Sequence, residues 1–483
     1  MSFAHSPPIA AILSFVLPGL GQLSLGAIRR GILLAVPAVG VFGAAVMLGL
    51  GGGGALLETL LRPEVLVALL VLNVLLAGYH VVAIADAYRL AIGSRTSHPG
   101  ARRASALVLA AVLVGTFSLH GALEGIGYEA YATLDRVFVP SEAGDGWSIP
   151  EPSFEPEPSA TASPSPATTP SPTPSPAARK SPSPSPTPSP TARWVADGRL
   201  DLLLIGSDAG PDRWSLRTDT IIVLSVDVQT GRAALFGVPR NLVGVPLPPE
   251  SASTFEGGRF PGLLNALYVY AMGHPREFPG GDARGFRAVS GAVQELVGVR
   301  LDAVVVVNLA GFVRLVNALG GLWIDVPERL VDQLYPLEDG TGHIRLDIRP
   351  GCQLLDGRTA LAYARSRHQD SDYGRMRRQQ AVLVALARQL DPIALLPKVP
   401  ELLEIAKDNL WTTVRRTDVR SLAELAARID TTRIKGVLFV PSRYPSHLDS
   451  AEISRIRRAV RSVFEGQAAG PSSSPGPPPA ACP

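Results

Sequence analysis

Four apolar stretches fill the first 125 residues, at about 8–28, 31–53, 64–88 and 104–123. Each approaches the ~20 residues that cross a bilayer as a helix, and lipid leaves an isolated segment no other way to satisfy its backbone amides. The chain must therefore begin with an α-helical membrane module, residues 1–125, with three or four transmembrane helices expected. Pro18-Gly19-Leu20-Gly21-Gln22 interrupts the first stretch, which is read as bent or re-entrant. No basic segment precedes it and three apolar stretches follow, so a cleaved signal peptide is a poor reading. Arg29 and Arg30 follow the first stretch, and Arg89, Arg95, Arg102 and Arg103 lie between the third and fourth. Glu58, Arg62 and Glu64, between the second and third, carry no positive excess. Positive charge marks the cytoplasmic side, so everything after residue 124 is placed outside a multi-pass cell-membrane protein. Asp86, three residues before Arg89, reads either as a buried polar relay or as an ion pair at the lipid headgroups.

Beyond the module the composition changes twice. Residues 126–197 form a linker in which Pro150 to Thr191 is mostly Pro, Ser, Thr and Ala. Such a segment buries no core and favours polyproline II, reaching ~130 Å if ~45 residues extend fully. Residues 198–465 read as one α/β domain, and 466–483 as a disordered tail rich in Pro, Ser and Gly. Leu202-Leu203-Leu204-Ile205 and Thr220 to Val226 are strand-like, and Gln229-Thr230-Gly231 turns the chain into a third strand, Arg232 to Val238. Helices are expected over 284–297, 310–319 and 373–391, with a buried strand at Val304 to Val307.

Lys+Arg 45 against Asp+Glu 42 gives +3, which makes no case for nucleic acid. The 8 histidines show no metal-ligand spacing, and Cys352 and Cys482 are expected to be free thiols, although one bridge is open to them.

The residues suited to chemistry are arginines and aspartates. Asp208 follows a strand that ends in Gly206-Ser207, and Asp219 opens the next strand. Two carboxylates at strand ends suit a hard cation completed by water and phosphate oxygens. Read singly, Asp208 also fits a turn cap, and Asp219 a partner for Arg217 two residues away on the same face. Arg240 follows the proline that closes the hairpin strand. Arg365 and Arg367 have a spacing of two, while Arg375, Arg378 and Gln379 share a helix face. Guanidinium is suited to bidentate contact with phosphate. So dense a set repels itself unless a polyanion or acids such as Asp370 and Asp372 answer it. No Ser-His-Asp elbow, Walker loop or zinc signature is present. The pattern points to a diphosphate substrate and a divalent metal, without a protein nucleophile.

Six segments in order carry a resemblance: Leu203 to Asp208, Arg217-Thr218-Asp219-Thr220-Ile221, Val238-Pro239-Arg240, Ala318 to Leu322, Leu355 to Arg367, and Arg375 to Gln380. With these the soluble part resembles the LytR-CpsA-Psr family of cell-wall proteins, from about 200 to 385 and out to 440 at most. The resemblance implies a central sheet flanked by helices and an extracytoplasmic phosphotransferase. Its reaction moves a glycopolymer from an undecaprenyl-diphosphate carrier onto peptidoglycan with magnesium. An apolar channel between sheet and helices is implied for the polyprenyl tail. Asp208 and Asp219 are implied to hold Mg2+, and Arg217, Arg240, Arg365, Arg367, Arg375 and Gln379 to clamp the diphosphate; Arg217, Asp219 and Arg240 are assigned to the catalytic step. The chain departs from the family pattern at Asn241, where Asp is usual after Pro-Arg, and at Leu263, where a lysine is usual. The other readings are a polyprenyl-diphosphate hydrolase and a non-catalytic protein that senses the lipid-linked precursor.

Overall fold

The computed structural model describes residues 6–50, 62–92, 99–138, 153, 193–208, 218–337, 342–367, 369–390, 398–441, 443–465 and 482. The chain forms two compact units, one of residues 1–138, 397–408 and 415–424, the other of 139–396, 409–414 and 425–483.

In the first unit, α1 (Pro7–Val16) and α2 (Leu20–Ser24) share the first apolar stretch. The chain turns between them at Gly19, whose φ of 98° suits glycine alone. At Gly21 a Cβ would stand 2.1 Å from the Ala10 carbonyl, so the tight return on α1 also needs glycine. Ten residues of α1 rise ~15 Å, half a bilayer core. The first stretch is thus bent, as its Pro-Gly interruption suggests. Next come α3 (Ile28–Leu50), α4 (Pro63–Ile92) and α5 (Pro99–Val137). Among the described residues two helical segments, Glu64–Ile92 and Arg103–Asp135, are long and apolar enough to cross a membrane, fewer than the three or four expected. Asp86 finds Arg30, at 2.7 Å, rather than Arg89, and also accepts from Gln22.

The sequence boundary at 125 is displaced. α5 runs on to Val137, and its last turns are held by ion pairs Lys407–Glu129 (2.5 Å) and Arg416–Asp135 (3.4 Å) and by Leu134 beside Val419. That packing groups 397–408 and 415–424 with the helices instead of with the α/β domain. The other end of the expected linker is folded as well. There α6 (Arg193–Asp197) buries Trp194 and pairs Arg193 with Asp302. The Pro/Ser/Thr run lies outside the described residues except Ser153, whose amide donates to Glu295 at 2.6 Å.

The second unit is built on a six-stranded mixed sheet. Its strands are β1 (Arg199–Ser207), β2 (Thr218–Asp227), β3 (Ala233–Gly237), β6 (Ala303–Asn308), β11 (Leu410–Thr412) and β12 (Lys435–Leu438), in the order β11-β6-β1-β2-β3-β12. Three smaller pairs accompany it: β4 (Val243–Pro246) with β5 (Arg259–Leu263), β7 (Leu322–Val326) with β10 (Gly351–Leu355), and β8 (Leu330–Pro336) with β9 (His343–Ile348). The β2–β3 hairpin lies where the Gln-Thr-Gly turn signal puts it, with Gly231 at positive φ. Helices α7 (Arg284–Val297), α8 (Leu309–Ala318), α9 (Gly357–Arg365) and α10 (Asp372–Gln389) follow the apolar periodicity and their caps. Asn308 caps α8 and Asp356 caps α9, each side chain accepting an amide in the first turn. α11 (Val399–Asn409) and α12 (Val419–Ala426) fall in the first unit as far as Asp408 and Glu424, and α13 (Ser450–Arg461) in the second.

One core lies between the sheet, α7 and α13, and a second between β7, β8, β9, α9 and α10. Cys352 on β10 is bonded to Cys482, with Cα atoms 5.6 Å apart, so the expected free thiols are corrected: the tail returns within bridging range of β10. The rest of the tail, 466–481 and Pro483, lies outside the described residues.

Candidate diphosphate-binding cleft

The parallel pairing of β1 with β6 and the antiparallel pairing with β2 bring Ser207, Thr218 and Asn308 side by side at one end of the sheet. Beyond that edge opens a cavity of about 110 Å3. Asp208, Asp219, Arg240, Arg365, Arg367, Arg375 and Gln379 all line it. Residues from five sequence segments thus converge on one cleft. Arg217 lies outside the described residues.

The groups are held in a network. Arg240 Nη1 is 2.5 Å from Asp219 Oδ1, and its Nη2 is 3.5 Å from Asp372 Oδ1. Asp219 is therefore the partner of Arg240. The backbone also places Arg240, since its carbonyl accepts from the Asn265 amide at 2.9 Å. Arg375 reaches Asp372 at 3.0 Å and the Asp219 carbonyl at 3.4 Å, with its side chain only 5 % exposed. Burial, with Arg240 alongside, pushes the Arg375 guanidinium down to about 10. That destabilisation of a cation is reversed when an anion enters.

Arg365 is the last residue of α9, and the chain extends at Ser366, with ψ 143°. Arg367 thus reaches the cleft beyond a helix end, not along a strand as the spacing of two suggests. Arg378, expected to share the face of Arg375 and Gln379, instead donates to the Tyr363 and Ser366 carbonyls and pairs with Asp370 at 2.6 Å. It fastens the segment bearing the two arginines. From the other side, the Ser366 hydroxyl donates to Asp332 Oδ2 at 2.7 Å. Asp332, 1 % exposed on β8, carries no sequence signal that marks it for the cleft.

The polar accounting is incomplete at this edge. The hydroxyls of Ser207 and Thr218, opposed across β1 and β2, are buried without a hydrogen-bond partner, as is Arg375 Nε. A fully closed structural cluster does not leave such atoms. Asn241 keeps Oδ1 buried and unpartnered, while Leu263, in place of the family's lysine, is 45 % exposed.

No group of three or more His, Cys, Asp or Glu placed for a metal is found among the described residues. Magnesium does not need one: it takes one or two carboxylates and completes its shell with water and substrate phosphate. Asp208 and Asp219 in the same cleft, above unpartnered hydroxyls, fit that donor chemistry.

The apolar channel implied for a polyprenyl tail is not open under α7 and α13. Leu203, Phe236, Val293, Leu296 and Ile456 are all 0 % exposed there, and their side chains fill the space. A larger cavity of about 340 Å3 borders Leu330, Tyr363, Arg377, Arg378, Val384 and Ile434, and none of the residues expected to bind diphosphate lines it.

A model of the LytR_cpsA_psr family matches residues 170–450. Biofilm regulatory protein A of Streptococcus mutans is 24% identical over 227 residues, 46% of this chain and 51% of that protein. The polyisoprenyl-teichoic acid–peptidoglycan teichoic acid transferase TagV of Bacillus subtilis is 26% identical over 255 residues, 51% of this chain and 59% of that protein. The crystal structure of B. subtilis TagV aligns at a TM-score of 0.40 and 24% identity, covering 55% of this chain and 96% of that one. The chain spans about half the length of the curated relatives it matches first.

Proposed function

The chain belongs to the LytR_cpsA_psr family, and from that premise we propose that it transfers a glycopolymer from a polyprenyl diphosphate carrier to peptidoglycan. The observation that supports this reading is the convergence of Arg240, Arg365, Arg367 and Arg375 on a cleft whose buried polar atoms lack partners. The lining has four arginines against three aspartates, Asp208, Asp219 and Asp332. Asp372, paired with both Arg240 and Arg375, makes the acids four as well, so what an anion with two phosphate groups answers is the set of buried donors without partners, Ser207, Thr218 and Arg375 Nε. The cavity suits a charged head group; a polyprenyl tail needs room that the packed core under α7 does not offer.

In the reaction, the arginines fix the diphosphate and neutralise the charge that grows on the leaving phosphate, the main demand of phosphoryl transfer. Arg240 and Arg375 are held by Asp219 and Asp372, so they need little reorganisation when the substrate binds. Asp208 and Asp219 would hold magnesium, which when bound adds a further positive charge against the phosphates. The attacking hydroxyl comes from a wall sugar. Arg217, two residues before Asp219, joins the same clamp in this proposal. The bond between Cys352 and Cys482 supports an oxidising, extracytoplasmic setting for this unit, tethered to a membrane by the apolar helices.

Incubating the full chain with a lipid-linked polymer, peptidoglycan and magnesium tests the reading. Polymer attached to peptidoglycan is expected. Free polymer with lipid phosphate would make it a hydrolase, and tight binding without turnover a sensor.

A further inference from the structure

The helices of the first unit meet at a line of polar side chains that the cleft chemistry does not use. His80 on α4 turns Nε2 toward the carbonyls of Ser14 and Phe15 on α1, at 3.2 and 2.9 Å. Its Nδ1 lies 3.4 Å from Nε2 of His120 on α5. His120 Nδ1 is 2.8 Å from Asn73 Oδ1. Asn73 Nδ2 in turn donates to the His120 carbonyl and to Glu124 Oε2, both at 2.9 Å.

Counting hydrogens along this chain gives a definite charge. Carbonyl oxygens only accept, so His80 Nε2 carries a hydrogen. Asn73 Oδ1 only accepts, so His120 Nδ1 carries another. The contact between the two rings needs a third. Two neutral imidazoles hold two N–H hydrogens, so the pair holds one proton more. Turning the Asn73 amide over does not remove the need, because its oxygen would then face the His120 carbonyl and Glu124 Oε2 at 2.9 Å.

We propose that His80 and His120 form a site for one excess proton within the helical module, shared between the two rings and balanced by Glu124 through Asn73. That proton joins α4 to α5, while the N–H at His80 Nε2 ties α4 to α1. Without the proton, either two ring lone pairs face each other or one faces the Asn73 oxygen. The tie extends through Ser14, whose hydroxyl donates to Gln22 Oε1 at 3.1 Å while Gln22 Nε2 donates to Asp86. Ionisable groups in polar seams of apolar helices are otherwise costly, which argues for a use.

The charged and titratable groups around the site are few. α5 contributes Glu124, and, nine residues past His120, Glu129 in its pair with Lys407. α4 contributes Asp86, six residues or ~9 Å along the helix, already paired with Arg30 of α3. Tyr79 donates to the Leu34 carbonyl on α3. α1 and α2 carry no titratable side chain.

Nitrogen NMR of the full chain in lipid nanodiscs, labelled with 15N-histidine, tests the site, with His80→Gln and His120→Gln assigning the two rings. Where a variant does not fold, transfer from the Asn73 side-chain amide assigns His120 instead. Three protonated ring nitrogens at neutral pH are expected, with both rings changing together in one one-proton step. Two neutral rings throughout the folded pH range, or two independent titrations, would overturn the proposal. In Glu124→Gln the step is expected to move once the opposing charge is gone; an unmoved step would sink the balancing role.

Discussion

The two ends of β1 carry charge in opposite ways. At its start most groups close on themselves, although Asp197, held by Arg193 through one oxygen, keeps its Oδ1 buried without a partner. Arg199 lies 3.0 Å from Asp201 and donates to Ser225 at 2.7 Å, Ser225 donates to Asp201, and the Asp201 amide reaches Asp302 at 2.9 Å. Arg193 completes the set from α6. Burial raises the carboxyl of Asp201 and takes that of Asp302 up to about 7. At its other end β1 delivers Ser207 and Asp208 into a cleft where arginines meet aspartates and buried hydroxyls lack partners. Similar residues therefore serve two purposes. A closed network contributes to folding and exposes nothing to a ligand; under the proposed function the substrate's phosphates would complete the other.

That contrast is broken or sharpened by substitution. The largest effect is expected at the closed end. Asp201→Ala takes the carboxylate from Arg199, which is 15 % exposed and still reaches Ser225, and is expected to cost about 3 kcal/mol of stability in denaturant unfolding, the low end for breaking a buried pair. The folded fraction should keep its turnover. A loss below about 1 kcal/mol would mean that the network is not the closed structural cluster described here.

At the open end the order reverses, with activity falling and stability holding. Arg240→Ala and Arg365→Ala are each expected to lower turnover about 10²-fold or more, because they meet charge that develops in the transition state. Full turnover in both variants removes the clamp. Asp219→Asn should next weaken the response to magnesium in a metal titration. It also loosens Arg240, 2.5 Å away, so its effect on turnover is expected to exceed that of Asp208→Asn. An unchanged titration in both would end the assignment of these carboxylates to the metal.

How much of this was legible in the sequence follows from the kind of signal each part carries. The β2–β3 hairpin and α7 are read correctly because turn residues and apolar periodicity are local properties. The cleft residues lie in short polar runs at element ends, so Asp208, Asp219, Arg240 and Arg375 could be chosen by chemistry before their contacts were known. The partners could not. Nearness in sequence offers Asp219 only Arg217, which lies outside the described residues, whereas the hairpin return brings Arg240 against it from 21 residues away. His80 and His120 were passed over because no spacing rule joins residues forty apart on two helices, although α4 and α5 bring them together. The bond from Cys352 to Cys482 is a bridge the sequence leaves open but does not favour, because nothing local pairs residues 130 apart. The end of α5 was misplaced because its last turns are polar, and their burial depends on residues near 407 and 416.

The smallest effect tests how the open end is held in place. Ser366 touches no phosphate in this scheme; its hydroxyl donates to buried Asp332, while its carbonyl accepts from Arg378. Both contacts act on the short segment from which Arg365 and Arg367 project. Ser366→Ala leaves Asp332 one donor short and frees that segment on one side. A tenfold loss in kcat, roughly 1.4 kcal/mol of barrier, is the expected size, with KM little changed if the ground-state complex still forms. Ser366→Thr, which restores the hydroxyl, should recover most of it. If alanine and threonine lose turnover equally, bulk at this position matters and the hydrogen bond does not; the arginines would then owe their positions to Arg378 and Asp370 alone.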